Sequence, residues 1–385
     1  MAAALAWNLV CRVVDNYGDA GVAWRLARQL ADEHRQKVTL WIDDLASLAR
    51  LVPALSADAT AGRAEGVDVR TLAPAPATVP TAADVVVEAF GCGLPPGWIE
   101  AIARRRRPPV WIVLEYLSAE PWVDTANRRA SPHPATAVPR WYWCPGFTPA
   151  SGGLLREHDA IARMAAVRAD PRRRSRTLAA LGASAPPGAR VVLAFVYPGM
   201  TLAPLLDAWS DATAPTIALV PQGVAVEAID AWSGGRVPRP GTSHSRGALT
   251  VSSFAFVPQR AFDDVLASSD FAFVRGEDSF VRAQWAGVPF AWQAYRQDAG
   301  AQRVKVDAFL ERYLAEPGPG RGPAEALRAV SDALNRDDGA ALVRAWPGVE
   351  AGLPDLADHG RRWSAHLGAQ SDLATGLVEF VASKL

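Results

Sequence analysis

Short apolar runs alternate with longer segments whose apolar residues recur at helical spacing, and no other feature constrains this chain as strongly. Leu5–Val14 reads as a strand, Asp15-Asn16-Tyr17-Gly18-Asp19 as a turn, Gly21–Arg35 as a helix and Lys37–Ile42 as a second buried strand. Strand, helix and strand in that order make a βαβ unit, whose crossover implies a parallel sheet. Val85–Phe90 and Val110–Tyr116 add two buried strands, with a helix at Trp98–Arg105 between them. The turn segment Thr148–Gly153 precedes a helix rich in Arg and Ala that runs to about Arg168.

Around Asp170–Pro187 the composition shifts to Arg, Ser, Pro and Ala, which reads as a boundary. Beyond it the pattern restarts. Strands are expected at Arg190–Phe195, Thr216–Val220, Thr250–Phe256 and Phe271–Val274, with helices at Leu202–Ala212, Arg260–Ser268 and Asp278–Ala286. A last stretch from about Leu356 to Leu385 looks helical. The expected layout is a first α/β domain over 1–168, a linker over 169–188, a second α/β domain over 189–355, and a helical segment over 356–385 packing back on the first. A chain of 385 residues, half of them apolar, can bury two such cores.

Charge and cysteine content narrow the classes. Forty basic residues balance forty acidic ones, which argues against a nucleic-acid or anionic-membrane partner, since both need excess positive charge. Cys11, Cys92 and Cys144 are few, odd in number and far apart. That pattern suits neither a disulfide framework nor a zinc ribbon, and implies a reducing cytoplasm. The apolar start, Met1–Cys11, lacks a basic leader region and a cleavage signal and is too short to span a bilayer.

Ligands of open α/β sheets bind at the carboxyl ends of the strands, and two such sheets facing each other make a cleft. Two strand-end loops stand out. In Asp15–Asp19, two carboxylates four apart around a glycine turn can converge on one point, or Asp19 can simply cap the next helix while Asp15 starts an Asx turn. In Arg275-Gly276-Glu277-Asp278-Ser279, a helix N-terminus, a glycine and an arginine suit a diphosphate. Equally, Glu277 and Asp278 are ordinary complements of the helix dipole and would repel a phosphate unless one points elsewhere. The aromatics of Phe195-Val196-Tyr197 and Phe254-Ala255-Phe256 follow strands and suit either base stacking or core packing. Glu115 ends another strand, either facing a cleft or as a satisfied edge carboxylate. Six scattered histidines show no metal spacing, and neither a P-loop nor GxGxxG occurs.

Together the tracts VDNYGDAGVAWRLARQL, VVVEAFGCGLP, LEYLSAEPWV, PGFTPASGGLLRE and VRGEDSFVRAQWAGVPF, spread from near the start to about residue 295, closely resemble the EarP family. That family comprises protein-arginine rhamnosyltransferases acting on elongation factor P (EF-P). The resemblance implies a GT-B glycosyltransferase of two Rossmann-like domains facing across a cleft, the first binding the acceptor and the second the nucleotide sugar. It implies the donor dTDP-β-L-rhamnose, no metal or other cofactor, and inversion to α-rhamnosyl-arginine. It also implies Asp19 as general base, with Asp15 and Glu277 as further required carboxylates. Tyr197, Arg275, Asp278 and Ser279 fall where the family holds the diphosphate, the last two mainly through backbone N–H groups. Phe195, Phe256 and Gln259 match the nucleoside pocket. Pro198-Gly199-Met200 departs from the family in a variable loop beside Tyr197.

The chemistry fits these residue types. A guanidinium, with a reference pKa of about 12.5–13.8, is a delocalised cation and a poor nucleophile at neutral pH. Carboxylates can grip its fork, disfavour its resonance and take the proton as the new bond forms. Two rivals stand beside this expectation. One is another GT-B enzyme acting on a small molecule or lipid; the other is a non-catalytic nucleotide-sugar or RNA-binding module.

Overall fold

The computed structural model describes residues 4–15, 17–72, 83–296, 300–315 and 317–385. These form two compact units: residues up to His158 together with Ala369–Leu385, and Asp159–Gly368.

In the first unit the strands are β1 (Ala6–Cys11), β2 (Lys37–Ile42), β3 (Ala61–Ala64), β4 (Val67–Thr71), β5 (Val85–Ala89), β6 (Val110–Leu114), β7 (Ala130–Pro132) and β8 (Pro139–Trp143). They form one sheet in the order β3-β4-β2-β1-β5-β6-β8-β7. All neighbours pair in parallel except the edge hairpins β3–β4 and β7–β8. The central strands read as continuous apolar runs because both faces are covered. Trp7, Leu9 and Cys11 of β1 pack with Leu26 and Leu30 of the helix Tyr17–Asp32. Val10, between them in sequence, lies in a second cluster with Val86, Trp111 and Trp98 of the helix Pro96–Ala103. Leu373, Leu377 and Val381 of the helix Leu373–Ala382 join the first cluster, and Leu373 N–H donates to the Leu154 carbonyl at 3.0 Å. Glu157 takes Arg25 at 2.9 Å and Arg28 at 2.6 Å, tying the helix Tyr17–Asp32 to the end of this segment.

The second unit holds β9 (Arg190–Ala194), β10 (Thr216–Pro221), β11 (Thr242–Arg246), β12 (Leu249–Phe254), β13 (Phe271–Arg275) and β14 (Phe290–Gln293), in the order β11-β12-β10-β9-β13-β14. Only β11 runs antiparallel to its neighbour. The division between units falls at His158 rather than at 168. The helix Ala160–Ala169 belongs to the second unit, where Arg163 reaches Asp263 at 2.7 Å and Asp264 at 2.6 Å. The span 169–188, expected as a linker, carries the helix Pro171–Ala180, whose Arg174 bonds the Ser268 carbonyl and Asp270. Arg174 is therefore a tether within the unit. Likewise one helix, Gly339–Gly368, runs through the expected boundary at 355, so 356–368 lies in the second unit and 369–385 in the first.

In both sheets the strand order reverses beside the first strand: β1 lies between β2 and β5, and β9 between β10 and β13. At such a reversal the connections leave on opposite faces and open a crevice at the carboxyl ends of the strands. Among the described residues, no helix is long and apolar enough to cross a membrane.

Candidate active site

β1 ends at Cys11, three residues sooner than its apolar run suggests, and the chain turns at Val14 and Asp15 into the helix that starts at Tyr17. Asn16 lies outside the described residues. Asp19, only 3% exposed, sits in the first helical turn, and its Oδ2 accepts the backbone N–H groups of Val14 at 2.8 Å and Asp15 at 2.9 Å. Oδ1 takes part in neither bond. Asp19 therefore does brace the turn, as the simpler alternative had it, while one carboxylate oxygen is left out of that task. The Gly18 N–H donates to the Asp15 carbonyl at 2.6 Å. A Cβ at position 18 would lie 2.6 Å from Asp15 Oδ2 and 3.1 Å from its Cγ, so the Asp15 carboxylate rests where any other side chain would begin. Asp43, after β2, supports the same loop by accepting the Val13 N–H at 2.9 Å. Burial, and next the Asp19 charge, push the Cys11 thiol well above its ordinary range.

On β5, Glu88 is 4% exposed and accepts the Gly93 N–H at 2.9 Å and the Trp111 indole N–H at 3.2 Å. It holds the loop Phe90–Gly93, in which Phe90, Gly91 and Gly93 have φ of 58°, 58° and 76°. A single acid inside the apolar run Val85–Phe90 is the sequence signal that could have found Glu88. Asp43, beside the capping Asp44, carried no such signal. Glu115, the other strand-end acid, is half-buried and its N–H donates to the Trp143 carbonyl at 2.9 Å.

The second unit gathers Phe195, Tyr197, Arg275 and Glu277–Ser279 around the reversal at β9 and β13. Phe195 and Tyr197 follow β9; Arg275 ends β13, and Glu277–Ser279 open the helix Asp278–Ala286. The Arg275 guanidinium lies 4.6 Å from the Phe195 ring centre and 4.8 Å from that of Tyr197, distances at which a cation is attracted by the ring faces. Ser279 Oγ donates to the Arg275 carbonyl and accepts its N–H at 3.1 Å, so the hydroxyl closes the loop on itself. Gly276 takes φ of 61°, and its carbonyl accepts the Trp292 indole N–H at 2.8 Å. Glu277 is the N-cap residue, without a side-chain capping bond, and Asp278 and Ser279 open the first turn of the helix. Asp278 is drawn aside by the Gln259 amide at 3.1 Å. Phe256 lies beyond β12, which stops at Phe254, and is 44% exposed. Gln293, unforeseen from sequence, accepts the Tyr197 N–H at 2.7 Å and sets the height of that loop. Among the described residues, no group of three or more His, Cys, Asp or Glu side chains could hold a metal ion.

With this geometry in view, similarity to known proteins is informative. A protein-arginine rhamnosyltransferase of Pseudomonas putida (strain KT2440) is 44% identical over 98% of this chain and 99% of its own length. Another, from Neisseria meningitidis, is 33% identical over 97% and 96%. A solved structure described as "Structural basis for EarP-mediated arginine glycosylation of translation elongation factor EF-P" superposes with a TM-score of 0.68 at 34% identity, covering 99% of this chain and 100% of that one. Phytolacca americana UGT2 shares the fold alone, at a TM-score of 0.51 and 14% identity over 99% of both chains. The fold is that of the GT-B glycosyltransferases. The sequence model "Elongation-Factor P (EF-P) rhamnosyltransferase EarP" matches residues 7–382, and the chain belongs to the EarP family.

Proposed function

We propose that this chain moves L-rhamnose from dTDP-β-L-rhamnose to an arginine side chain of EF-P, giving α-rhamnosyl-arginine and dTDP with inversion. The observation that carries this is family membership along 7–382, with named arginine rhamnosyltransferases among the relatives. Two sites of opposite chemical character, each at the strand reversal of its own sheet, support it.

The acceptor nitrogen attacks the anomeric carbon of rhamnose as the bond to the diphosphate oxygen breaks. The guanidinium must lose one proton in that step. Asp19 takes it as general base, through a carboxylate whose other oxygen is fixed by two backbone N–H groups. Asp15, held over Gly18, grips the guanidinium fork. Glu277 is assigned as the third required carboxylate. Negative charge grows on the leaving diphosphate, and Arg275, Tyr197 and the first-turn N–H groups of Asp278 and Ser279 stabilise it there. Because Ser279 Oγ is spent on Arg275, that residue acts through its backbone. Phe195, Phe256 and Gln259 hold the nucleoside.

The test is the intact mass of unmodified EF-P after incubation with this protein and dTDP-L-rhamnose. A gain of one deoxyhexose mapped to an arginine is expected. No gain, with donor binding retained, would overturn the acceptor; no gain and no donor binding would overturn the site as well.

A further inference from the structure

The loop after β5 carries more strain than its structural duty explains. Phe90 has φ of 58°, a left-handed conformation that costs a non-glycine residue about 1–2 kcal/mol. The conformation is held from several sides: Phe90 N–H donates to the Leu114 carbonyl at 2.6 Å, Cys92 N–H to the Ala89 carbonyl at 3.2 Å, and Gly93 N–H to buried Glu88. The result is that the Phe90 ring lies parallel to that of Tyr116, just beyond β6, with centres 4.4 Å apart and planes 15° apart. Both rings are half-buried, and a Cβ built on Gly91 or Gly93 meets nothing within 4 Å, so the loop borders open space.

The loop also adjoins the end of β1, from which the chain leads to the carboxylates. Cys92 Sγ lies 3.5 Å from the Val10 carbonyl on β1, and its thiol interacts with the backbone of Arg12, in the segment leading to Asp15. Aromatic rings in the loops after β5 and β6, on the same side of β1 as that contact, suit a flat organic cation held at the carboxyl end of β1: carboxylates take its N–H fork and a ring takes its face.

We infer that Phe90 and Tyr116 form an aromatic wall against which the acceptor guanidinium lies flat, selecting arginine over lysine. This rests on the acceptor proposed above being an arginine. Lysine, a compact ammonium, gains neither the stacking nor the fork.

Initial rates with EF-P test it in Tyr116→Leu, with Tyr116→Phe as the variant that keeps the ring. The acceptor KM should rise about tenfold in Tyr116→Leu and stay within about twofold in Tyr116→Phe, with donor affinity unchanged in both. An unchanged acceptor KM in Tyr116→Leu, or an equal loss in Tyr116→Phe, would overturn the wall. If the wild-type protein transfers nothing to EF-P, the proposed function fails by itself. The wall is then read by nuclear magnetic resonance titration with methylguanidinium chloride, which should shift aromatic signals of wild type but not of Tyr116→Leu. No shift in wild type would overturn it.

Discussion

At the end of β1 the chain places Asp15 and Asp19, with Glu88 on the neighbouring β5; at the end of β9 it places Phe195 and Tyr197, with Arg275 on the neighbouring β13. Both sets stand where the strand order reverses, so the two sheets offer the same place. What each place accepts is decided by a few loop residues. In the first unit backbone N–H groups are spent holding a carboxylate, leaving the loop suited to a cation. In the second a serine hydroxyl is spent on an arginine's own backbone, leaving guanidinium and helix N–H groups suited to an anion. A helix N-terminus is thus not an anion site by default. It is proposed as one in the second unit, whereas in the first Asp19 accepts the N–H groups of its own loop.

The sharpest way to break the comparison is to remove charge from one side only. Asp19→Asn keeps an oxygen that can accept the Val14 and Asp15 N–H groups, so the turn should survive. Transfer should fall by about 10³-fold, within the range typical of a lost general base, while donor binding measured by calorimetry stays as in wild type. Robust transfer would remove Asp19 as base; lost donor binding would mean that the two places do not divide the labour as proposed. Arg275→Ala is the counterpart. Losing one preorganised donor to a developing charge typically costs 10²–10³-fold in turnover, and here donor affinity should weaken as well. Near-normal turnover would take the diphosphate from Arg275.

A subtler change separates position from charge. All three atoms nearest to a Cβ at position 18 belong to Asp15, so Gly18→Ala displaces that carboxylate and touches nothing else closely. Misplacing a reacting group by about 1 Å can cost up to about 10²-fold in rate. Alanine is also the better helix former, so melting temperature should hold or rise while transfer falls. Combined with Asp15→Asn, the double variant should be no slower than Asp15→Asn alone, because both changes act through one side chain. Additive losses would mean that Gly18 matters in some other way.

The alternating pattern was legible because buried parallel strands write themselves as apolar runs and helices as apolar residues at helical spacing: the strand Lys37–Ile42 and the helix Asp278–Ala286 carry the bounds expected of them. Strand ends were not. β1, β6 and β12 stop before their apolar runs do, because Val13, Tyr116 and Phe256 are apolar yet lie beyond the last paired residue. The hairpin β3–β4 went unread because β3 is short and largely exposed, so no burial period marks it. The boundary was misplaced because arginine in sequence does not reveal whether it meets solvent or, like Arg163 and Arg174, a carboxylate across its own unit. For the site, residue types and strand ends could be read, but not the side-chain trade-offs: that Ser279 serves Arg275, that Gln259 holds Asp278, or that Gln293 holds Tyr197.

The smallest expected effect uses an asymmetry of composition. Cys11, Cys92 and Cys144 all lie in the first unit, so thiol titration reports on that unit alone. Burial, and next the charge of Glu88, push the Cys92 thiol from 9.0 to about 11. An acid whose folded value is raised favours the folded state while it stays protonated. Its contribution is fully present below pH 9, where the unfolded thiol is protonated too, and is lost as pH rises toward 11. Wild-type stability to urea should therefore decline more steeply between pH 9 and 11 than that of Cys92→Ser, by about 1 kcal/mol after allowing for the thiol's partial exposure. Donor binding, proposed for the second unit, should be the same in both proteins at neutral pH. Parallel declines would mean that Cys92 is open to solvent, and with it the loop that Glu88 is argued to hold shut beside the carboxylates. A variant that loses donor binding would show instead that the two units do not keep their chemistry apart.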